Sequence, residues 1–366
     1  MTATPVALRP STGRIRDRIA ALTADDPELA IRFAGLREYS HGIRTTVVFA
    51  TTACNIRCRG CWYYGHDLDK GVTEVTDPKR IEAFAADLAR QGTSHVLLIG
   101  GEPTLVPERV SAYASHVEHV TVTTNGLRAL PREGFENVNV AVSVFGGGPL
   151  DDELRGIRPN GSRMTGLFER ALENYRDDPR AVFIYALAED GIGHIADTVE
   201  LIGQNGNQVT FGFYSAYGTG DPVGLAKGQD LLTEALRVRE AHAETVVSHP
   251  YYIRTLITGR SHWAPFGYDV CATLTTAHPA HADRLANGHP TLPGFAAYQP
   301  DLTTLQSCCT SGDCDGCRDS QAVHSWLLVN LHQFLDTSDM LRTWVEIAES
   351  FYGQYYWSPY HRARRS

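Results

Sequence analysis

Three cysteines carry the first chemical signal in this 366-residue chain: Cys54, Cys58 and Cys61. They form the pattern C-x-x-x-C-x-x-C directly after an apolar run, Thr45–Ala50. Three soft thiolate ligands on a short loop can hold three corners of a [4Fe–4S] cube. The fourth iron then lacks a protein ligand, and such an open position can bind and activate another molecule. A structural zinc site instead closes its shell with four ligands.

A second cysteine group lies far downstream. Cys308, Cys309, Cys314 and Cys317 read C-C-x-x-x-x-C-x-x-C, with Cys271 well upstream of them. Taken alone, this pattern suits a zinc site as well as an iron–sulfur cluster. Adjacent side chains diverge in most backbone conformations, so Cys308 and Cys309 sit awkwardly on one centre.

Other reactive types fall where strands are expected to end. Gly100, Gly101 and Glu102 follow the run His95–Ile99. The glycines let the backbone approach a ligand closely, and Glu102 offers a carboxylate to an ammonium. Thr124 and Asn125 follow Val120–Thr123, and Ser143 lies in Val138–Val144. These three also suit plain strand-end capping. The run Asp151-Asp152-Glu153-Leu154-Arg155-Gly156 places a guanidinium after a cluster of acids, with Arg158 close behind.

The elements that must position these residues alternate strand and helix. Expected strands are Thr45–Ala50, His95–Ile99, Val120–Thr123, Val138–Val144, Ala181–Ala188 and Gln208–Tyr214. Helices are expected from Asp77, over Glu108–Ser115, Met164–Tyr175 and Ile192–Gln204, then Asp230–Val247. Asp77 is a capping residue with Pro78 at the first helical position. Ile81, Phe84, Ala85 and Leu88 then share one face, and Gly92 is a stop signal. The strands are continuous apolar runs, the mark of a parallel sheet covered on both faces. Six βα units fit an α/β fold, a partial (β/α)6 parallel barrel with ligands at the C-terminal strand ends.

The expected organisation follows. Residues 1–44 form a helical preface with helices near Arg14–Leu22 and Pro27–Arg37, and 45–217 the barrel core. Residues 218–263 are a linker and helix, and 264–320 an irregular cysteine-rich region. Residues 321–366 are C-terminal helices, interrupted near Asp336, and a basic tail.

A hydrophobic fraction of 43% and a charged fraction of 20% are ordinary for a globular chain. A net charge of −9 disfavours nonspecific binding to nucleic acid. No run approaches the roughly 18 apolar residues of a membrane span. The N-terminus shows no secretion signal. Eight cysteines in two groups read as metal ligands in a reducing compartment, which points to the cytoplasm.

The cysteine triad at the end of one strand and Gly-Gly-Glu-Pro at the end of the next resemble the radical S-adenosylmethionine (radical SAM) superfamily over residues 45–215. The resemblance implies that Cys54, Cys58 and Cys61 ligate a [4Fe–4S] cluster whose open iron chelates S-adenosylmethionine. Reductive cleavage then yields a 5′-deoxyadenosyl radical that abstracts hydrogen from substrate. Glu102 would meet the methionine amino group, while Thr124, Asn125 and Ser143 match positions that bind ribose or carboxylate. Arg155, or else Arg158, would pair with the methionine carboxylate, a role suited to a guanidinium. An electron donor such as flavodoxin or ferredoxin is implied. Many members carry an aromatic just before the third cysteine; Gly60 stands there, with Trp62, Tyr63 and Tyr64 nearby.

The C-terminal cysteines resemble the auxiliary-cluster extension of the SPASM branch or its shorter twitch form. Five thiols, against seven in the full pattern, favour one auxiliary [4Fe–4S] cluster. Cys271, Cys309, Cys314 and Cys317 are the expected ligands, leaving Cys308 as a buried thiol or as a hydrogen-atom donor. With Cys308 as donor, the outcome is epimerisation of a polar small molecule. With the auxiliary cluster as electron acceptor, it is dehydrogenation, and specialised metabolism is the expected setting. Modification of a ribosomal peptide is the alternative, less favoured because residues 1–44 are too few for a peptide-recognition domain. A zinc-stapled binding protein is the non-enzymatic alternative. His194, Tyr214, Tyr217, Tyr268 and Asp269 are further candidates for the barrel mouth.

Overall fold

The computed structural model describes residues 12–65, 67–214, 225–258, 295–305 and 318–355. Helices α1 (Thr12–Thr23) and α2 (Pro27–Gly42) precede strand β1 (Thr45–Phe49). The Asp26 side chain accepts from the Leu29 amide at 3.0 Å and so caps α2, with Pro27 at its first position. A short turn of helix, α3 (Trp62–Gly65), leads to α4 (Pro78–Arg90), β2 (His95–Ile99), α5 (Pro107–Ala114) and β3 (His119–Thr124). Then come β4 (Val138–Phe145), α6 (Gly148–Arg155), α7 (Leu167–Asn174), β5 (Ala181–Leu187), α8 (Ile195–Gln204) and β6 (Gln208–Phe213). Helices α9 (Gly228–Ala241) and α10 (Pro250–Thr258), strand β7 (Phe295–Tyr298), and helices α11 (Ser320–Val329) and α12 (Ser338–Tyr355) follow.

The sheet has seven strands, all parallel, in the order β6-β5-β4-β3-β2-β1-β7. Among the described residues its two edges, β6 and β7, do not pair with each other, so it is a partial barrel. Alternate residues divide between its faces. Val48, Val96, Leu98, Val120, Val122, Val140, Val142 and Val144 belong to the main core beneath the helices. Val47 and Leu97 pack with Ile99 and Ala297 on the opposite, concave face. Asn139, Ala141, Ser143 and Phe145 share that concave face through the pleat of β4.

Several boundaries differ from the sequence expectation. The seventh strand falls inside the segment expected to be irregular, and β7 pairs with β1 from Thr45↔Phe295 to Val48↔Tyr298. Its four residues, FAAY, include two alanines, which are depleted in strands. The helix expected over Asp230–Val247 ends at Ala241, and Val246 instead makes a bridge to Val209 on β6. The helix expected from Met164 starts at Leu167. Gly166 takes a left-handed φ of +80° there, and the Met164 amide donates to the Gly156 carbonyl. The helix expected from Ile192 starts at Ile195, after a 3-10 turn over Glu189–His194.

The N-terminal helices pack on the C-terminal one. Arg32 bonds both Glu349 oxygens, Phe33 meets Trp344 at 5.8 Å between ring centroids, and Arg342 reaches Asp26. Arg18 donates to the carbonyls of Leu335 and Asp336. No helix among the described residues is long and apolar enough to cross a membrane.

Candidate functional site

The segment carrying the cysteines extends β1 and is strapped to the end of β2. The Ala50 amide donates to Ile99 at 2.7 Å, the Gly101 amide to Thr51 at 2.9 Å and the Glu102 amide to Ala53 at 2.8 Å. This closeness explains both glycines without any ligand. A Cβ on Gly100, whose φ is +118°, would lie 2.9 Å from the Thr51 carbonyl, and one on Gly101 would collide with the Ala53 carbonyl. The glycines therefore seat the cysteine loop.

A half-buried ion pair fixes the other side of the strap. Glu74 accepts from the Thr51 hydroxyl at 3.0 Å and from the Thr52 amide and hydroxyl at 2.8 Å each. Arg109 bonds Glu74 and donates to the Ala50 carbonyl at 2.7 Å. Burial alone would raise the Glu74 carboxyl, but bonds from Thr52, Arg109 and Thr51 outweigh it and hold it below its ordinary range. Sequence reasoning missed both residues, because nothing in their local sequence marks a partner tens of positions away.

The loop itself is clamped against the end of α6. The Arg57 amide donates to the Ile157 carbonyl and the Arg59 amide to the Leu154 carbonyl, each at 2.7 Å. These two bonds set Cys58 beside Arg155. Gly60 takes a φ of +69°, a turn conformation that an aromatic would resist. The three cysteines are partly covered and none is in a disulfide. Desolvation pushes Cys54 up to about 11 and Cys58 up to about 12, and it raises Cys61. As free thiols they would stay protonated near neutrality; bound iron would displace those protons.

The donor set fits a cluster. Cys58 lies within the electrostatic reach of both Cys54 and Cys61. Yet among the described residues no three His, Cys, Asp or Glu side chains converge where one ion would sit. A [4Fe–4S] cluster takes each thiolate on a separate iron, and three thiols on one loop can supply three of its four corners.

Glu102 stands beside this loop, 1% exposed. Its Oε1 accepts from the Thr104 amide at 3.0 Å, the Thr104 hydroxyl at 2.7 Å and the Thr124 hydroxyl at 2.8 Å. Among the described residues its Oε2 accepts only the Asn125 amide, at 2.8 Å. A carboxylate oxygen has two lone pairs, so Oε2 keeps room for one more donor. The Thr124 hydroxyl is occupied, since it also accepts the Gly126 amide at 3.1 Å. The Asn125 side chain donates to the Asn55 oxygen at 2.6 Å and to the Cys54 sulfur at 3.9 Å. The Ser143 hydroxyl is half-buried on the concave face and makes no hydrogen bond among the described residues.

Arg155 is fully buried. Its Nη1 bonds both Asp151 oxygens, at 3.0 and 3.1 Å, and its Nη2 donates to the Asn125 carbonyl at 2.6 Å. Asp151 in turn accepts the Phe145 amide at 2.6 Å. Arg155 thus joins the ends of β3 and β4 to the cysteine loop. Arg158 is exposed on the loop beyond.

Of the aromatics, Tyr63 is buried and stacks on Phe49 at 5.4 Å. Tyr64 is covered by Arg57 at 3.9 Å and donates to the Thr52 carbonyl at 2.7 Å. Trp62 is half-buried, edge-on to Phe49. Across the mouth, Tyr214 meets Phe145 at 5.6 Å and donates to the Arg59 carbonyl at 3.2 Å. His194 is half-buried at the end of its 3-10 turn. Cys271, Cys308, Cys309, Cys314, Cys317, Tyr217, Tyr268 and Asp269 lie outside the described residues.

Comparison with known proteins adds the following. A GTP 3′,8-cyclase of Actinobacillus succinogenes is 33% identical over 132 residues, 29% of this chain and 38% of that protein. One of Haemophilus influenzae is 30% identical over 127 residues, again 38% of its length. The chain therefore matches well under half the length of these relatives. Among solved structures, anSMEcpe with bound AdoMet aligns at a TM-score of 0.47 and 14% identity, covering 72% of this chain and 74% of that one. SuiB of Streptococcus suis bound to S-adenosylmethionine aligns at 0.43 and 16%, covering 80% and 70%. Likeness at that level says nothing about activity. The radical SAM superfamily model matches residues 48–202, which hold the cysteine loop, Glu102, Asn125 and Arg155. The segment that carries these residues is a radical SAM domain, and members of that superfamily use a [4Fe–4S] cluster with S-adenosylmethionine.

Proposed function

We propose that the protein is a radical SAM enzyme acting on an unactivated C–H bond of a polar small molecule. The observation that carries this reading is the strapping of the Cys54–Cys61 loop directly onto Glu102. That contact puts three cluster ligands beside a buried carboxylate with one acceptor position open. Cys54, Cys58 and Cys61 would hold the cluster. Glu102 Oε2 would accept from the methionine ammonium, and Ser143 would offer a hydroxyl to ribose or carboxylate. When bound, the cluster and S-adenosylmethionine supply a 5′-deoxyadenosyl radical on reduction by a donor such as flavodoxin or ferredoxin.

On a concave face that also carries Val47, Leu97 and Ile99, Ser143 and Asn139 offer polar groups to a polar substrate. The GTP cyclisation in the relatives' names belongs to proteins of which this chain matches 38%. Substrate therefore has to be read from this chain's own residues. Cys271, Cys309, Cys314 and Cys317 would hold one auxiliary [4Fe–4S] cluster. In epimerisation, the Cys308 thiol would give a hydrogen atom to the substrate radical. One electron and one proton from the donor protein would then restore that thiol. In dehydrogenation, the substrate radical would instead lose an electron to the auxiliary cluster and a proton to solvent.

Anaerobic reconstitution tests this reading. About eight irons per chain, with matching sulfide, are expected. Reduction in the presence of S-adenosylmethionine should release 5′-deoxyadenosine. Zinc alone, with no deoxyadenosine, would sink the proposal. Deuterium transfer from labelled candidates into 5′-deoxyadenosine identifies the substrate. Unchanged epimerisation by Cys308→Ala would rule that thiol out as donor.

A further inference from the structure

Two hydrogen-bond donors address the cysteine sulfurs from outside the loop. The Asn125 amide reaches Cys54 at 3.9 Å. Arg155 lies beside Cys58, because the amides on either side of Cys58 are bonded to residues 154 and 157. The two donors are one unit, since Arg155 Nη2 bonds the Asn125 carbonyl at 2.6 Å. Asp151 holds the guanidinium from the opposite side, and neither side chain of that pair is more than 1% exposed. A surface arginine waiting for a ligand carboxylate would be open; both Nη groups of this one already bond the chain itself.

We propose that Arg155, anchored by Asp151, is a positioning residue for the cluster. It donates to the Cys58 sulfur and, with Asn125 at Cys54, sets the potential at which the cluster accepts an electron. This rests on the radical SAM reading above and assigns Arg155 to the cluster rather than to the methionine carboxylate. Hydrogen bonds to cluster sulfurs raise the reduction potential, because they stabilise the more negative, reduced state. A cation held in a dry site does so more strongly. A guanidinium stays cationic in proteins, and two bonds to Asp151 hold this one in place. The backbone bonds on either side of Cys58 set it next to Arg155 itself, so the cationic member of the pair is the one beside the cluster ligand. The same unit reaches Glu102 through the Asn125 amide, which ties the cluster's surroundings to the expected ammonium site.

The test compares wild type with the double variant Asp151→Asn/Arg155→Gln, which exchanges a buried ion pair for a neutral amide pair of similar shape. Potentiometric titration of the reconstituted cluster, followed by electron paramagnetic resonance, reads the potential. The affinity for S-adenosylmethionine is read from the change it causes in the same spectrum. We expect the double variant's cluster to assemble and to be about tenfold harder to reduce, a shift of about 59 mV for a one-electron couple. Affinity for S-adenosylmethionine should stay within about twofold. An unmoved potential overturns the proposal, and loss of affinity at unmoved potential would return Arg155 to the methionine carboxylate. Should the double variant fail to fold, Arg155→Lys serves instead. An ammonium cannot span Asp151, Asn125 and Cys58 together, so a smaller shift of the same sign is expected, and none overturns the proposal. A wild-type protein that assembles no four-iron cluster would defeat the radical SAM reading itself.

Discussion

The backbone of Gly101 runs so close to the carbonyl of Ala53 that no side chain can stand between them. This contact fixes the distance between the cysteine loop and the Glu102 carboxylate. Gly101→Ala would force the strap off β2 or the loop off the strap. Overpacking against a fixed backbone costs about 1–3 kcal/mol. The expected outcome is a lower thermal midpoint together with iron content well below wild type after reconstitution. Full iron at unchanged stability would contradict the geometry.

Glu102→Gln separates charge from shape at the next position. The wild-type carboxylate accepts from Thr104, Thr124 and Asn125, all buried. A glutamine must turn an NH2 group toward one of these donors. A buried donor left unmet costs about 1–3 kcal/mol. Cluster content should survive, because the strap bonds come from the Glu102 backbone. Affinity for S-adenosylmethionine should fall by at least about tenfold, as the ammonium loses a charged acceptor. Titration by isothermal calorimetry checks this.

Much of the frame was legible in the sequence because its signals are local. Six strands are continuous apolar runs, and a run of Val, Ile and Leu reads the same wherever it ends up. Strand β7 was not legible: its short alanine-containing segment pairs with β1 about 250 positions away in the chain. The site shows the same division. Cys54, Cys58, Cys61 and Glu102 announce themselves by spacing, but the partners that seat them are distant in sequence. Glu74 and Arg109 look like ordinary surface charges until folding sets them on the strap. Arg155 reads equally as a ligand for a carboxylate; only its burial against Asp151 and Asn125 shows what occupies it.

Below the site, Arg180 fastens the loop between β3 and β4. It donates to the carbonyls of Leu130, Pro131 and Phe135 and is paired with Asp178, both side chains being at most 4% exposed. Asp178→Ala leaves a buried cation with carbonyls but no counter-ion. A loss of about 3–5 kcal/mol is expected from chemical denaturation. Arg180→Met in the same background should recover little, because it also orphans three carbonyls. Full recovery would mean the ion pair alone mattered.

The strap should also make part of the stability depend on acid. Burial works to raise the Glu74 carboxyl, yet the bonds from Thr52, Arg109 and Thr51 prevail and lower it in the folded protein. A carboxyl whose pKa is lowered by folding contributes stability that is fully present above its unfolded value, about 4.3. That contribution fades as pH falls through the lower folded value, where the native carboxylate finally takes a proton. Glu74→Gln removes the titrating group but keeps its size. At neutral pH it should be less stable than wild type by about 1–2 kcal/mol, the range for bonds to a partly exposed charged group. The gap should narrow only once the pH drops below the ordinary carboxylate range. Denaturant unfolding of both proteins at pH 7, 5 and 3.5 measures it. A gap that stays constant down to the lowest pH would show that Glu74 acts through shape and not through its charge.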